Sequence, residues 1–393
     1  MTISKKMSDF LEQGSWIRRM FEDGIELKKK YGPENVFDLS LGNPIFSPPD
    51  VLYDEMKSLI NNPDKSAHRY MPNAGLDETR KKVAEFLSAT TNHNFNLNNI
   101  LMTGGAGGAL NVALKSILDP GDEVIFFTPF FPEYFFYTDN HSGVSKIIDS
   151  DDNFIPDLKS LDSNINSKTK AVIINSPNNP SGIVYDDDFY KQFSEILKKH
   201  ETLLNREIFV ISDEPYRRII FDDLDCPNIL DFHDNTIVAS SFSKDLAIPG
   251  ERIGYLGISP NIKNTEILMD GLVFANRVLG FVNAPAFMQR AIANILFNTV
   301  NIEEYLLRRN FLCDELSKLG YNFIIPKGAF YLFPKSPLDD DILFTKLLKE
   351  NKVLVVPGSG FGKKGYFRIS FCVDWDSIKG SISGFEKAIN SIN

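Results

Sequence analysis

Phe209-Val210-Ile211-Ser212-Asp213-Glu214-Pro215-Tyr216 passes from an unbroken apolar run to two acids and a proline within eight residues. A strand that is apolar at successive positions has both faces covered, the habit of parallel sheets with helices on either side. An acid at the carboxyl end of such a strand lies where open α/β sheets bind their ligands. As an isolated feature Asp213 is equally an N-cap for a following helix, and that role is the commoner one.

Outward from this stretch the rhythm repeats. Candidate strands fall at 100–103, 123–127, 144–148, 171–175, 208–212, 236–240 and 252–258, with helix-length segments such as 109–118 and 186–200 between them. The alternation predicts an α/β fold with a mostly parallel seven-stranded sheet flanked by helices. Upstream, amphipathic patterns predict helices over 16–31, 49–61 and 76–90. After about Asn283 the order becomes two helices, strands near 322–325, 353–356 and 366–371, and a last helix over 374–392. This reads as a smaller α+β domain. The expected division is a large domain over 45–290 and a small one made of 1–44 plus 291–393.

Composition narrows the class. The 393 residues are 43% apolar and 24% charged, with a formal net charge of −10, values of an ordinary globular protein. Acidity argues against nucleic acid or an anionic membrane as the main partner. Cys226, Cys313 and Cys372 are far apart and odd in number, so no disulfide framework or thiolate metal site is expected. The five histidines are scattered, which again predicts no metal. Neither a secretory leader nor a run of about 20 apolar residues is present, and a cytoplasmic protein is expected.

Several polar clusters follow predicted strands. Thr103-Gly104-Gly105-Ala106-Gly107-Gly108 opens a helix, where free backbone N–H groups and the helix dipole suit a phosphate. It lacks the third glycine of a dinucleotide fingerprint and the Gly-Lys-Ser/Thr of a P-loop, and a plain tight turn explains it as well. Ser241-Phe242-Ser243-Lys244 ends an uncharged strand. A lysine so placed is either a surface cap or an amine nucleophile with a lowered pKa. The partner motifs of serine β-lactamases are absent downstream. Asn178-Asn179-Pro180-Ser181-Gly182 reads alone as a turn. Asp149-x-Asp151-x-Asn153 begins like a calcium loop, but Phe154 stands where glycine is required.

Taken together these clusters make the chain resemble the class I/II aminotransferases of the fold type I pyridoxal-phosphate superfamily. The resemblance runs from Leu41-Gly42-Asn43-Pro44 to Phe367-Arg368-Ile369-Ser370, with Arg252 eight residues after Lys244 as that family requires.

The resemblance implies the following roles. Lys244 binds the aldehyde of pyridoxal 5'-phosphate as a Schiff base. Asp213 keeps the pyridine nitrogen protonated, and Tyr216 and Asn179 donate to the ring's phenolic oxygen. Backbone N–H groups of Ala106 and Gly107, with Ser241 and Arg252, hold the phosphate. Phe131 stacks on the ring, and Tyr70 reaches the phosphate of a partner subunit's cofactor, which implies a homodimer with shared active sites. Arg368, with the Gly42 backbone, holds the α-carboxylate of the amino acid or 2-oxo acid substrate. Where the family often has a histidine supporting the acid, this chain has Tyr134.

The implied reaction is amino transfer by a ping-pong mechanism, with 2-oxoglutarate as acceptor and a donor range including aspartate or neutral amino acids. A second carboxylate needs a second cation, for which Arg277 is the candidate, an interface arginine being the alternative. Phe131, Tyr134 and Phe330 suggest a pocket that also takes aromatic or aliphatic side chains. A carbon–sulfur β-lyase of the same superfamily would use the same Lys244 and Asp213. A ligand-sensing regulator on this fold would need a DNA-binding region, for which a pattern starting near Trp16 leaves no room.

Overall fold

β-Branched and aromatic residues fill both faces of the predicted runs, and these become strands. In the computed structural model the chain forms β1 (Phe37–Asp38), β2 (Ile100–Thr103), β3 (Glu123–Phe127), β4 (Val144–Ile148), β5 (Thr169–Asn175) and β6 (Phe209–Asp213). There follow β7 (Thr236–Ser241), β8 (Gly254–Ile258), β9 (Tyr331–Leu332), β10 (Val353–Leu354), β11 (Val356–Pro357) and β12 (Phe367–Ser370). The structure describes residues 2–13 and 16–392; Met1, Gly14, Ser15 and Asn393, which fall in the expected small domain, lie outside the described residues.

Seven strands make one sheet in the order β2-β8-β7-β6-β5-β3-β4. β8 runs antiparallel to both neighbours, and the remaining pairs are parallel. Strict alternation divides the side chains of the central strands between two cores. Val124, Phe126, Ala171, Ile173, Phe209 and Ile211 face the helix Ala106–Ile117. Ile125, Phe127, Val172, Ile174, Ile208 and Val210 face the helix Asp187–Leu204. That second helix starts where the Asp186 carboxylate accepts from the Phe189 N–H, and it ends at Asn205 in the left-handed conformation with φ 47°.

A second group of elements lies beside this sheet. β1 pairs in parallel with β10, and β11, β12 and β9 form an antiparallel sheet. Their core joins Leu39 to Leu312, Leu316, Phe344, Val353 and Phe385, and it takes in Tyr216, Ile219 and Phe221 from the large-sheet side. Continuous burial across that junction holds β12 and its neighbours against the large sheet.

Three expectations are corrected here. No strand forms at 322–325: this stretch is only partly buried, Pro326 follows it, and the Asn322 carbonyl accepts from Lys335 N–H instead. The strand pairing with β12 is β9, six residues later. The run 353–356 divides at Val355, because β10 and β11 pair with different strands. An unforeseen helix, Lys5–Gln13, sits against the helix Glu133–Asn140 through the Phe10–Phe136 ring contact and the Lys6–Asp139 ion pair. Met7, Phe10 and Leu11 follow helical spacing, but over a single turn, too short a run to mark an element from sequence. Among the described residues no helix is long and apolar enough to cross a membrane.

Gly254 sits where β8 passes closest to its neighbours. A Cβ there would meet the Ser240 carbonyl oxygen at 2.3 Å and Gly105 Cα at 2.9 Å, both backbone atoms with little room to move. Gly254→Ala is therefore expected to destabilise the protein by roughly 1–3 kcal/mol. Thermal melting should show a midpoint several degrees lower; a variant that melts with the wild type would mean slack between β7 and β8.

Candidate active site

The carboxyl ends of β2, β5, β6 and β7 open on a cavity of about 300 Å³. Eleven of the thirteen residues expected to contact cofactor or substrate line it: Gly42, Ala106, Gly107, Phe131, Asn179, Asp213, Tyr216, Ser241, Lys244, Arg252 and Arg368. They come from the ends of β2, β3, β5, β6 and β7, the connection into β8, the strand β12 and a loop after β1, so only the folded chain brings them together.

Asp213 is the last residue of β6 and is buried. The Tyr134 hydroxyl donates to its Oδ2 at 2.5 Å, while Oδ1 is shut off from solvent without a partner. Burial pushes this carboxyl up to about 7, with Tyr134 pulling the other way and Glu214 adding to the rise. Its backbone carbonyl accepts from the Asn175 amide at 2.8 Å, and Asn175 Oδ1 in turn accepts from the Asn179 N–H at 2.7 Å. An acid so placed has one oxygen aimed at a missing donor.

Lys244 Nζ donates to the Gly42 carbonyl at 2.6 Å. Burial, with repulsion from Arg368 and Arg252, lowers its amine to about 8, partly offset by the Cys372 thiol. A primary amine with this pKa is part neutral near neutral pH, as a nucleophile or proton carrier must be. Arg368 lies on β12 and is buried; it donates to Asn179 Oδ1 at 3.0 Å and to the Ser40 carbonyl at 2.5 Å. Its Nε has no partner. Because a guanidinium only donates, Asn179 must turn its oxygen toward Arg368, which leaves its NH₂ for the cavity.

On the opposite wall Gly105 (φ 85°) caps the helix Ala106–Ile117. A Cβ at Gly105 would come within 2.9 Å of Arg252 Nη2, so glycine is what lets the guanidinium lie against this turn. Arg252 itself donates to the carbonyls of Pro249 and Gly104, and Ser241 completes the wall. Free N–H groups at a helix N-terminus, a hydroxyl and a guanidinium make a cradle for a phosphate.

The donor set as a whole fits pyridoxal phosphate. The phosphate has this cradle, a protonated ring nitrogen would give Asp213 Oδ1 its missing donor, and an aldehyde would face Lys244.

Two expected residues stay outside the cavity of their own chain. Tyr70 is 94% exposed, and Arg277 is exposed on the helix Thr265–Val278 with its guanidinium over the Phe274 ring. Two side chains expected to shape the pocket also lie elsewhere. Tyr134 is buried beneath Asp213, and Phe330 is fully buried behind Lys244, whose Nζ is 5.7 Å from its ring centroid. In their place the walls carry Glu133, Tyr137, Asn175 and Tyr331, none of them foreseen. Tyr331 adjoins Phe330 and alternates to the other side; its hydroxyl pairs with that of Tyr216 at 2.9 Å. Glu133 and Tyr137 lie one helical turn apart on the helix Glu133–Asn140, a spacing visible in the sequence only once that helix is recognised.

Residues 34–379 match the family model for aminotransferase class I and II. The chain is 33% identical to a probable aspartate aminotransferase of Methanocaldococcus jannaschii over 87% of this chain and 90% of that one. It is 31% identical to an aspartate aminotransferase of Thermotoga maritima, covering 91% and 92% of the two chains. A solved amino transferase from Eubacterium rectale superposes with a TM-score of 0.96 at 38% identity, over 100% of each chain.

The raised carboxyl of Asp213 has a consequence for stability. An acid whose pKa is higher folded than unfolded stabilises the fold at low pH, and that contribution is lost as pH rises from about 4 through about 7. In the cofactor-free protein Asp213→Asn is thus expected to be more stable than the wild type at pH 8, by on the order of a few kcal/mol, with the gap closing toward pH 4. Chemical denaturation at both pH values checks this; a gap independent of pH would show that the carboxyl is not held in its neutral form.

Proposed function

The chain belongs to the class I and II aminotransferases, pyridoxal-phosphate-dependent enzymes, and we propose that it transfers an amino group from an L-amino acid to 2-oxoglutarate by a ping-pong mechanism. Its working parts are then a cofactor-binding domain over 45–290 and a small domain of 1–44 plus 291–393. The expected setting is the cytoplasm. One observation carries the reading: Lys244, Asp213 and Arg368 meet in a single cavity with an anion cradle on its far wall.

Bound pyridoxal phosphate supplies an aldehyde that takes up the amino group and a ring that draws electrons from the substrate Cα. Ala106 and Gly107 N–H groups, Ser241 and Arg252 would hold its phosphate. Phe131 would pack on the ring, and Tyr216 and the Asn179 amide would donate to its phenolic oxygen. Asp213, kept in place by Tyr134, would hold the proton on the ring nitrogen. Lys244 would hold the cofactor through its aldehyde and, as an amine lowered to about 8, would be the base able to take up and return the proton of the substrate Cα. Arg368, with Gly42, orients the α-carboxylate by a bidentate fork that a lysine could not offer.

Lys244 is accordingly the residue to be trapped. Borohydride reduction of the holoenzyme followed by peptide mapping should label Lys244 alone; a label on another lysine would overturn the assignment. A donor screen with 2-oxoglutarate and pyruvate tests the reaction itself. Release of pyruvate and ammonia with no 2-oxo acid added would instead favour the β-lyase. The relatives named for aspartate favour an acidic donor; Arg277, exposed outside the cavity of its own chain, fits an interface arginine better than a cation for the second carboxylate.

The proposed assembly is a homodimer with shared sites. The segment bearing Tyr70 is tied to the Arg277 region by the Asn276 and Asn283 amides, which donate to the carbonyls of Asn73 and Pro72. Nearby Phe274, Val278 and Phe281 are exposed, as befits a surface covered by a second copy. Tyr70→Phe and Lys244→Ala variants, mixed under conditions of subunit exchange, should regain activity that neither has alone. No recovery despite measured exchange would mean that each site is built from one chain.

A further inference from the structure

Glu133 has no part in the roles above, yet it lines the substrate cavity. It opens the helix Glu133–Asn140, and its Oε2 is shut off from solvent with no hydrogen-bond partner. Among the described residues the cations lining the cavity are Lys244, Arg252 and Arg368. The first two serve the aldehyde and the phosphate, and Arg368 serves the α-carboxylate. No cation of the same chain remains for the far end of a substrate side chain, whereas a carboxyl does.

Resting on the amino-transfer reading, we infer that Glu133 reads the far end of the substrate. A second carboxylate is admitted only with a proton shared between it and Glu133, while an uncharged side chain is admitted in either state. Two carboxylates that share a water-poor space cannot both ionise cheaply, so one proton stays between them. Burial already raises the Glu133 carboxyl above its ordinary range, against the pull of Arg368. A substrate α-carboxylate that neutralises Arg368 weakens that pull and favours the proton further.

Other titratable groups line the same cavity as Glu133, Tyr216 and Tyr331 among them. Tyr137 comes from its own helix and is pushed well up by burial, so it stays neutral. Arg368 comes from β12, Lys244 and Arg252 from the β7–β8 connection, and Asp213 from β6. Lys244 and Asp213 would be engaged by the cofactor in both complexes. A comparison of two ligands therefore removes them.

The test uses glutarate and pentanoate, ligands of equal length with and without a second carboxylate, titrated calorimetrically into the holoenzyme across pH. The ratio of their dissociation constants should climb by about tenfold per pH unit above the Glu133 titration. In two buffers of different ionisation enthalpy, glutarate should take up close to one proton more than pentanoate. In Glu133→Gln, whose amide is a permanent uncharged donor, the ratio should be flat with pH and the extra proton absent. Parallel curves in the wild type, a slope that persists in Glu133→Gln, or no glutarate binding at low pH would each overturn the inference. The wild-type comparison decides even if the variant fails to fold. Neither ligand is turned over, so an error about the acceptor would surface in the donor screen and not here.

Discussion

The carboxylate of Asp213 is the constraint around which the site is arranged. A charged group at the end of a central strand is costly to bury, and here only one of its oxygens is satisfied, by Tyr134. Burial raises its pKa, so a cationic or N–H-bearing partner in the cavity would favour the ionised form and be held there in its protonated state. The apolar sheet on both sides supplies the low dielectric that gives the interaction its strength.

Around that acid the other polar groups are held by backbone more than by one another. Lys244 rests on the Gly42 carbonyl, Arg252 on two turn carbonyls, and Arg368 on the Ser40 carbonyl and Asn179. These contacts orient long side chains while leaving donors free, as with Arg368 Nε. Preorganisation of this kind lowers the cost of binding an anionic ligand, because little side-chain freedom is left to lose.

Much of this was legible in the sequence, and for identifiable reasons. The seven sheet strands are short and nearly all apolar, so their pattern survives without context, and each polar cluster follows one of them directly. The misses have physical causes as well. At 322–325 the apolar residues pack from a loop and form no ladder. Phe330 and Tyr134 are aromatic, which suggests a pocket wall, but side-chain direction decides whether a ring faces in or lies beneath, and one residue's shift put Tyr331 on the wall instead. A lone glutamate beside proline, as at Glu133, carries no more signal in the sequence than an ordinary first-turn acid. Tyr70 and Arg277 point away from their own cavity, and no single-chain fold can give them one.

β8 is the one strand that runs against the rest, and the direction of a strand decides where its connection lies. The other links in the sheet leave at the carboxyl edge and return at the opposite edge, with an α-helix between in every case except β6 to β7, where only a short 3-10 turn intervenes. From β7 to β8 the chain turns back at once, so the stretch between Ser241 and Gly254 stays on the ligand side throughout. Lys244 and Arg252 thus share one short covalent bridge, and the distance between the amine and the guanidinium is set by its length. Evolution can lengthen most loops of this protein by insertion without touching the ligand; here a single added residue would move the two anchors out of step.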